Sequence, residues 1–237
     1  MLRYLLAVIV LVGASIAQAE PGFFADPLWD DGKAEVNLYE GVEPRYGILR
    51  DLHEAAMVVV KEDLRSDMLA KADDPGKADL PVIKLNWSTV IPTGIYTYYQ
   101  MATVWVTRDT ALPVRERFSS HEWCGATYQD LSRRNPKESD GRFVYTWDSY
   151  FAREGAGEKP VDVDSPYPVV LADALPVYLR TLDLAGMSES GETKTLTTII
   201  TLRSNNARPK GLPTTDVTVS VGEPRNVAVP AGEFEAY

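Results

Sequence analysis

Four stretches of this chain alternate apolar and polar residues with a period of two, and that pattern restricts the fold more than any other feature. Ile83, Leu85, Trp87, Thr89 and Ile91 alternate with Lys84, Asn86 and Ser88. Phe143, Tyr145, Trp147 and Phe151 share one face of a second stretch, with Thr146 and Asp148 on the other. Leu196, Thr198, Ile200 and Leu202 mark a third, and Val217, Val219 and Val221 a fourth. In an extended chain successive side chains point to opposite faces, so this period makes half-buried strands.

The stretch from Thr93 to Thr107 differs. Tyr96, Tyr98, Ala102, Val104 and Val106 occupy its even positions, and Ile95, Tyr99, Met101 and Trp105 its odd ones. A strand apolar on both faces is central in a packed sheet or lines a cavity.

Two segments carry a helical stripe. Asp173 can cap a helix through Leu184, with Leu175, Tyr178, Leu179 and Leu182 on one face and Gly186 as its stop. Leu64, Met68 and Leu69 place a weaker helix between Glu62 and Ala72, ended by Asp73-Asp74-Pro75-Gly76. Residues 133–141 and 153–168 read as exposed loops. Many strands, few helices and no βαβ rhythm predict a mainly β fold: a curved antiparallel sheet or half-open barrel with one or two short helices.

Residues 1–19 read as a signal peptide. Arg3 precedes an apolar run from Leu5 to Val12, too short to span a bilayer, and Ala17-Gln18-Ala19 fits the small-x-small site. Cleavage between Ala19 and Glu20 leaves residues 20–237 as a single exported β-rich domain. It has no transmembrane anchor, and is periplasmic in a Gram-negative cell and extracellular otherwise. The formal net charge is −10. Such an acidic chain repels phosphate and excludes nucleic acid as a partner.

The chemistry-bearing residue types are few: two His and one Cys. A Cys/His nucleophile would have to come from Ser119-Ser120-His121-Glu122-Trp123-Cys124-Gly125. In a strand, however, His121 and Cys124 point to opposite faces, so Cys124 is expected as a buried thiol beside Trp123. His53-Glu54 lacks the second histidine of a zinc protease helix, because position 57 is Met, so His53 reads as a surface or edge residue. Asp162-Val163-Asp164 lacks the glycine and distal glutamate of a calcium loop. No nucleotide, metal or cofactor fingerprint is found, and no catalytic residue is assigned.

What remains is aromatic wealth: 5 Trp, 12 Tyr and 6 Phe. Trp87, Trp105, Trp123 and Trp147 fall in different predicted strands. An aromatic-lined concavity would take an apolar ligand, with Trp87, Tyr96, Tyr98, Trp123 and Trp147 as its candidate wall. The alternative is an ordinary aromatic core.

Two passages carry a resemblance. Glu122-Trp123-Cys124-Gly125 after a strand resembles a motif of exported bacterial proteins. Val229-Pro230-Ala231-Gly232-Glu233-Phe234 is similar to the Val-Pro-Ala-Gly-x-Phe turn of a family of secreted bacterial domains. The resemblance implies a half-open barrel of the periplasmic lipoprotein-carrier type. In that family the turn leads into further strands, which implies a C-terminus truncated within the domain. It brings over no catalytic residue. The expected function is a non-enzymatic binding module for a lipid, another apolar ligand or an envelope protein. A structural or assembly component of the envelope ranks second, and an envelope hydrolase third.

Overall fold

The computed structural model describes residues 23–138 and 141–237; the expected signal peptide and its cleavage point at Ala19 and Glu20 lie outside them. Strands β1 (Glu35–Leu38), β2 (Val42–Arg45), β3 (Ile48–Asp51), β4 (Glu54–Arg65) and β5 (Ala70–Lys71) lead into the long β6 (Leu80–Pro92) and β7 (Thr97–Thr107). Then follow β8 (Pro113–Glu122), β9 (Gly125–Arg133), β10 (Arg142–Ser149) and β11 (Ala156–Asp162). These strands, apart from the β2–β3 hairpin, form one antiparallel sheet in the order β1-β4-β6-β7-β8-β9-β10-β11, with β5 beside β4. Its two edges do not join, so it is an open sheet and not a closed barrel.

One face of this sheet is covered. The chain crosses it through β12 (Val169–Leu171), a strap with the short helices α1 (Leu175–Tyr178) and α2 (Leu184–Ser190), and β13 (Thr193–Ile199). β12 and β13 run parallel, as a crossover connection allows, and β14 (Thr214–Ser220) pairs antiparallel with β13. Leu171, Val177, Leu196 and Ile199 of the cover meet Val59, Leu85, Val104 and Phe118 of the sheet in one buried cluster. The last strands, β15 (Arg225–Val229) and β16 (Gly232–Ala236), pair with each other across the Pro230-Ala231 turn.

The alternation is realised in β6 and β10 but not in β13, where Leu196 and Ile199, of opposite parity, both join the buried cluster and Ile200 and Leu202 lie beyond the strand. Ile83, Leu85, Trp87 and Ile91 all face the cover, and so do Phe143, Tyr145 and Trp147. β7 is central, with strands on both sides. Its even face (Tyr98, Ala102, Val104) is buried, whereas Tyr99 and Met101 on the odd face are exposed.

Several expectations are corrected. The segment from Glu62 to Ala72 is not a helix but the end of β4 with the short β5. Leu64 pairs across the ladder with Leu80 and is buried with Val82 and Val114, so strand pairing outweighs the weak stripe. The helix from Asp173 to Leu184 is broken: Leu182 is extended, and α2 starts anew at Asp183, whose side chain accepts from the Gly186 N–H. Gly186 lies inside α2, and Gly191, with φ of 69°, ends it. The supposed loop 153–168 contains β11. Pro160 is tolerated there because an edge strand can leave one side of its backbone unpaired. Phe151 lies beyond the end of β10, in the turn. Trp123 and Cys124 form the turn between β8 and β9, and Cys124 is exposed, not buried.

Candidate functional site

The five aromatic candidates do not form one wall. Trp147 is half-buried, stacked on Tyr145 at 5.2 Å between centroids, and its Nε1–H donates to the Glu154 carbonyl at 3.0 Å. Tyr96 and Tyr98 sit where β6 turns into β7. Their hydroxyls hydrogen-bond that of Tyr46 at 2.5 and 2.6 Å. Burial and the Tyr46 hydroxyl push the Tyr98 phenol well above the ordinary tyrosine range. Trp123 is 81% exposed at its hairpin tip.

Two of the five line grooves of about 530 Å³ each: Trp147 with Met101, Tyr128 and Asp148, and Trp87 with Tyr39, Glu40, Val42, Glu43, Leu52, Leu175, Gln100, Asp173 and Arg203. Trp87 is set by its phase in β6. Its neighbour across the ladder is Ala102, whose small side chain leaves room for the indole on the covered face. The Tyr39 ring lies 5.9 Å from Trp87, and the Arg203 guanidinium lies over the indole at 5.3 Å. The indole N–H points to the Asp173 carbonyl at 3.4 Å. Val42, Leu52 and Leu175 belong to the apolar lining of this groove; Gln100, Asp173 and Arg203 belong to its polar lining.

Behind Asp173 lies Glu116, with none of its surface exposed. Burial raises its carboxyl well above the ordinary range, reinforced by the charge of Asp173. Burial beside a second carboxylate favours the protonated form of such a group. Glu116 Oε1 accepts the Leu202 N–H at 3.2 Å. Asp173 accepts from the Thr201 hydroxyl, and Arg203 Nε lies 3.4 Å from its other oxygen. Gln100 donates to Asn205 Oδ1 at 2.7 Å and to Ser120 Oγ at 3.2 Å. Gln129 donates to the carbonyls of Leu202 and Ser204, and accepts from the Tyr145 hydroxyl at 2.6 Å.

These buried polar side chains share one task. The segment from Thr201 to Arg208 has no strand partner, and buried backbone groups must be satisfied somewhere. Sequence reasoning passed over Glu116, Gln100, Asp173 as an acid, and Arg203. A signal for Glu116 exists: it occupies the same strand phase as Phe118, the phase that faces the cover.

His121 and Cys124 do not assemble a nucleophile. His121 stacks on Tyr99 at 5.3 Å on the uncovered face of the sheet. The neighbouring Glu122 carboxylate raises the Cys124 thiol above its usual range, which keeps it protonated. His53 is exposed just before β4. Among the described residues, no three His, Cys, Asp or Glu side chains converge where a metal ion could be held, and no helix is long and apolar enough to cross a membrane.

Comparison with protein-family models, curated proteins and solved structures finds no match to this chain.

Proposed function

We propose that the protein is a non-enzymatic binding module, and that the groove beside Trp87 takes a small amphiphile with an apolar body and a polar head. The observation that supports this most is the mixed lining of that groove, which brings Val42, Leu52 and Leu175 together with Gln100, Asp173 and Arg203. Ligand sites are usually concave and mainly apolar, with a few convergent polar groups, and about 530 Å³ lies within their usual size. An apolar body would lie along Leu52 and Leu175, and a hydroxyl, amide or phosphate ester would meet Gln100 and Arg203. Export, as the N-terminal sequence suggests, would put envelope lipids within reach.

The test is native mass spectrometry of protein purified from its own cells, with titration of a fluorescent acyl probe. The expected result is a retained lipid and a probe affinity that falls at least tenfold in Trp87→Ala. No retained lipid together with no probe binding would overturn the reading.

A second reading, a structural or assembly component of the envelope, draws support from the side chains that fill the covered face of the sheet. Crosslinking in cells followed by pull-down separates the two: a stoichiometric envelope protein partner without a ligand would favour the second.

A further inference from the structure

We infer that the uncovered face of the main sheet binds a neutral saccharide, in the groove between Met101 and Tyr128. This groove, of about 530 Å³, lies on the other side of the sheet from the Trp87 groove and is independent of it.

Register and parity build it. Met101, Ser119, Tyr128 and Asp148 stand side by side on β7, β8, β9 and β10. Thr103, Arg117, Asp130 and Thr146 form the next row. Both rows lie away from the cover, because the alternate positions Ala102, Phe118 and Tyr145 are buried beneath it. Ser119 is small and sits between two large side chains, about 10 Å apart over two ladder steps. The gap above it is therefore an open slot. Phe118 and Gln129 also line this slot, and since their side chains are buried under the cover, they reach it through the sheet backbone.

Two features of the lining select the ligand. The first is its mixture of rings and hydrogen-bonding groups. Met101 is 47% exposed and Tyr128 56%, so an aromatic face and a thioether chain look onto the slot. Around them Arg117 offers exposed donors, Asp148 an exposed acceptor, and Ser119 and Thr146 hydroxyls that do both. A sugar ring has the matching construction, with C–H groups on its faces and hydroxyls along its edge. An acyl chain would strip these polar groups of water and give them no partner.

The second feature is charge. Asp130 accepts from Arg115 and from Arg117, the latter at 2.6 Å, so it is already matched. With Asp148, and with Glu158 beside Thr146 on β11, the groove and its flank set two arginines against three carboxylates. On the other flank β6 presents the neutral Asn86 and Ser88. A phosphate or an acidic sugar finds no surplus of positive charge here. Tyr99, stacked on His121 one row further along, gives a chain of sugars a second ring to rest on.

The experiment is affinity electrophoresis of the folded chain through gels that contain soluble starch, hydroxyethyl cellulose, galactomannan or glycol chitin, with alginate as the anionic comparison. The expected result is retardation by at least one neutral polymer. Tyr128→Ala should raise its dissociation constant at least tenfold, Met101→Ala should raise it less, and Trp123→Ser, an exposed ring elsewhere, should leave it unchanged. Circular dichroism confirms that each variant is folded. No retardation by any neutral polymer overturns the inference, as does retardation by alginate alone or retardation that Tyr128→Ala and Met101→Ala leave intact. A self-association or protein complex that Tyr128→Ala abolishes, without retardation, also overturns it. Acyl-probe titration reports on the Trp87 groove alone, so the two readings fail separately.

Discussion

Glu116 and Asp173 are neighbouring carboxyls at the interface between sheet and cover, and Glu116 is wholly buried. One comes from the middle of β8, the other from the strap that follows β12. Asp173 accepts from the Thr201 hydroxyl and Glu116 from the Leu202 N–H where the irregular segment from Thr201 crosses the sheet.

This pair makes stability depend on pH with a definite sign. Below about pH 4 Glu116 is protonated in both folded and unfolded chains. As pH rises, the unfolded chain releases the proton while the folded chain keeps it, because burial and Asp173 hold the carboxyl high. The unfolded state then binds fewer protons, and stability falls with rising pH. Glu116→Gln keeps a donor toward Asp173 and an acceptor for Leu202 without titrating. Its melting temperature should exceed that of the parent by a margin that grows from pH 4 to pH 8, as read by thermal melts across that range. A constant margin would contradict a raised Glu116 carboxyl.

Trp87 has a packing role and a directional one. Trp87→Phe keeps most of the ring contact with Tyr39 and loses the bond to the Asp173 carbonyl, a cost of about 1 kcal/mol. Trp87→Ala should cost about 2–4 kcal/mol, because the indole packs against the main cluster while remaining half-exposed. Urea denaturation of both variants checks the order. Equal costs would mean that the ring contributes nothing beyond its N–H.

Gly125 is required by Tyr150. A Cβ at position 125 would stand 2.2 Å from that ring, so Gly125→Ala must displace it, at about 1–3 kcal/mol. In a Tyr150→Ala background the same change should cost less, the remainder being the backbone strain of a side chain at φ 157°. The double-mutant cycle, measured by chemical denaturation, isolates the contact.

Arg180 joins the strap to edge strand β1 through two bonds to Glu35, at 2.6 and 2.8 Å. Burial pushes Glu35 upward, but the bonds from Arg180 and Asn37 outweigh it and hold the carboxyl below its ordinary range. Both side chains keep some solvent contact, so Arg180→Ala should cost only about 0.5–1 kcal/mol at pH 7. A carboxyl held low contributes above its unfolded pKa and loses that contribution as pH falls through its folded one. The difference between parent and variant should therefore vanish below about pH 4 in acid-denaturation curves.

The sequence by itself determined the phases of β6 and β10. Ile83, Leu85 and Trp87 had to share one face of their strand, and Phe143 and Tyr145 one face of theirs, because side-chain direction in a strand depends only on parity. It also determined the turn at Asp73–Gly76, where Asp74 caps the first helical turn through its side chain. Tertiary structure decided the rest. Leu64 could not show that it ends a strand, since the partner that makes it one, Leu80, arrives only through the β4–β6 ladder. Trp123 looked like one more aromatic in a strand. Its exposure follows from the position of the β8–β9 turn, and the turn is fixed by the pairing of Glu122 with Gly125. The groove was the least legible part of all. It joins Tyr39, Trp87, Asp173 and Arg203, which are far apart in the chain and belong to different layers. Parity is local and can be read along one strand. Convergence of distant residues depends on which faces the core closes, and only the folded chain sets that.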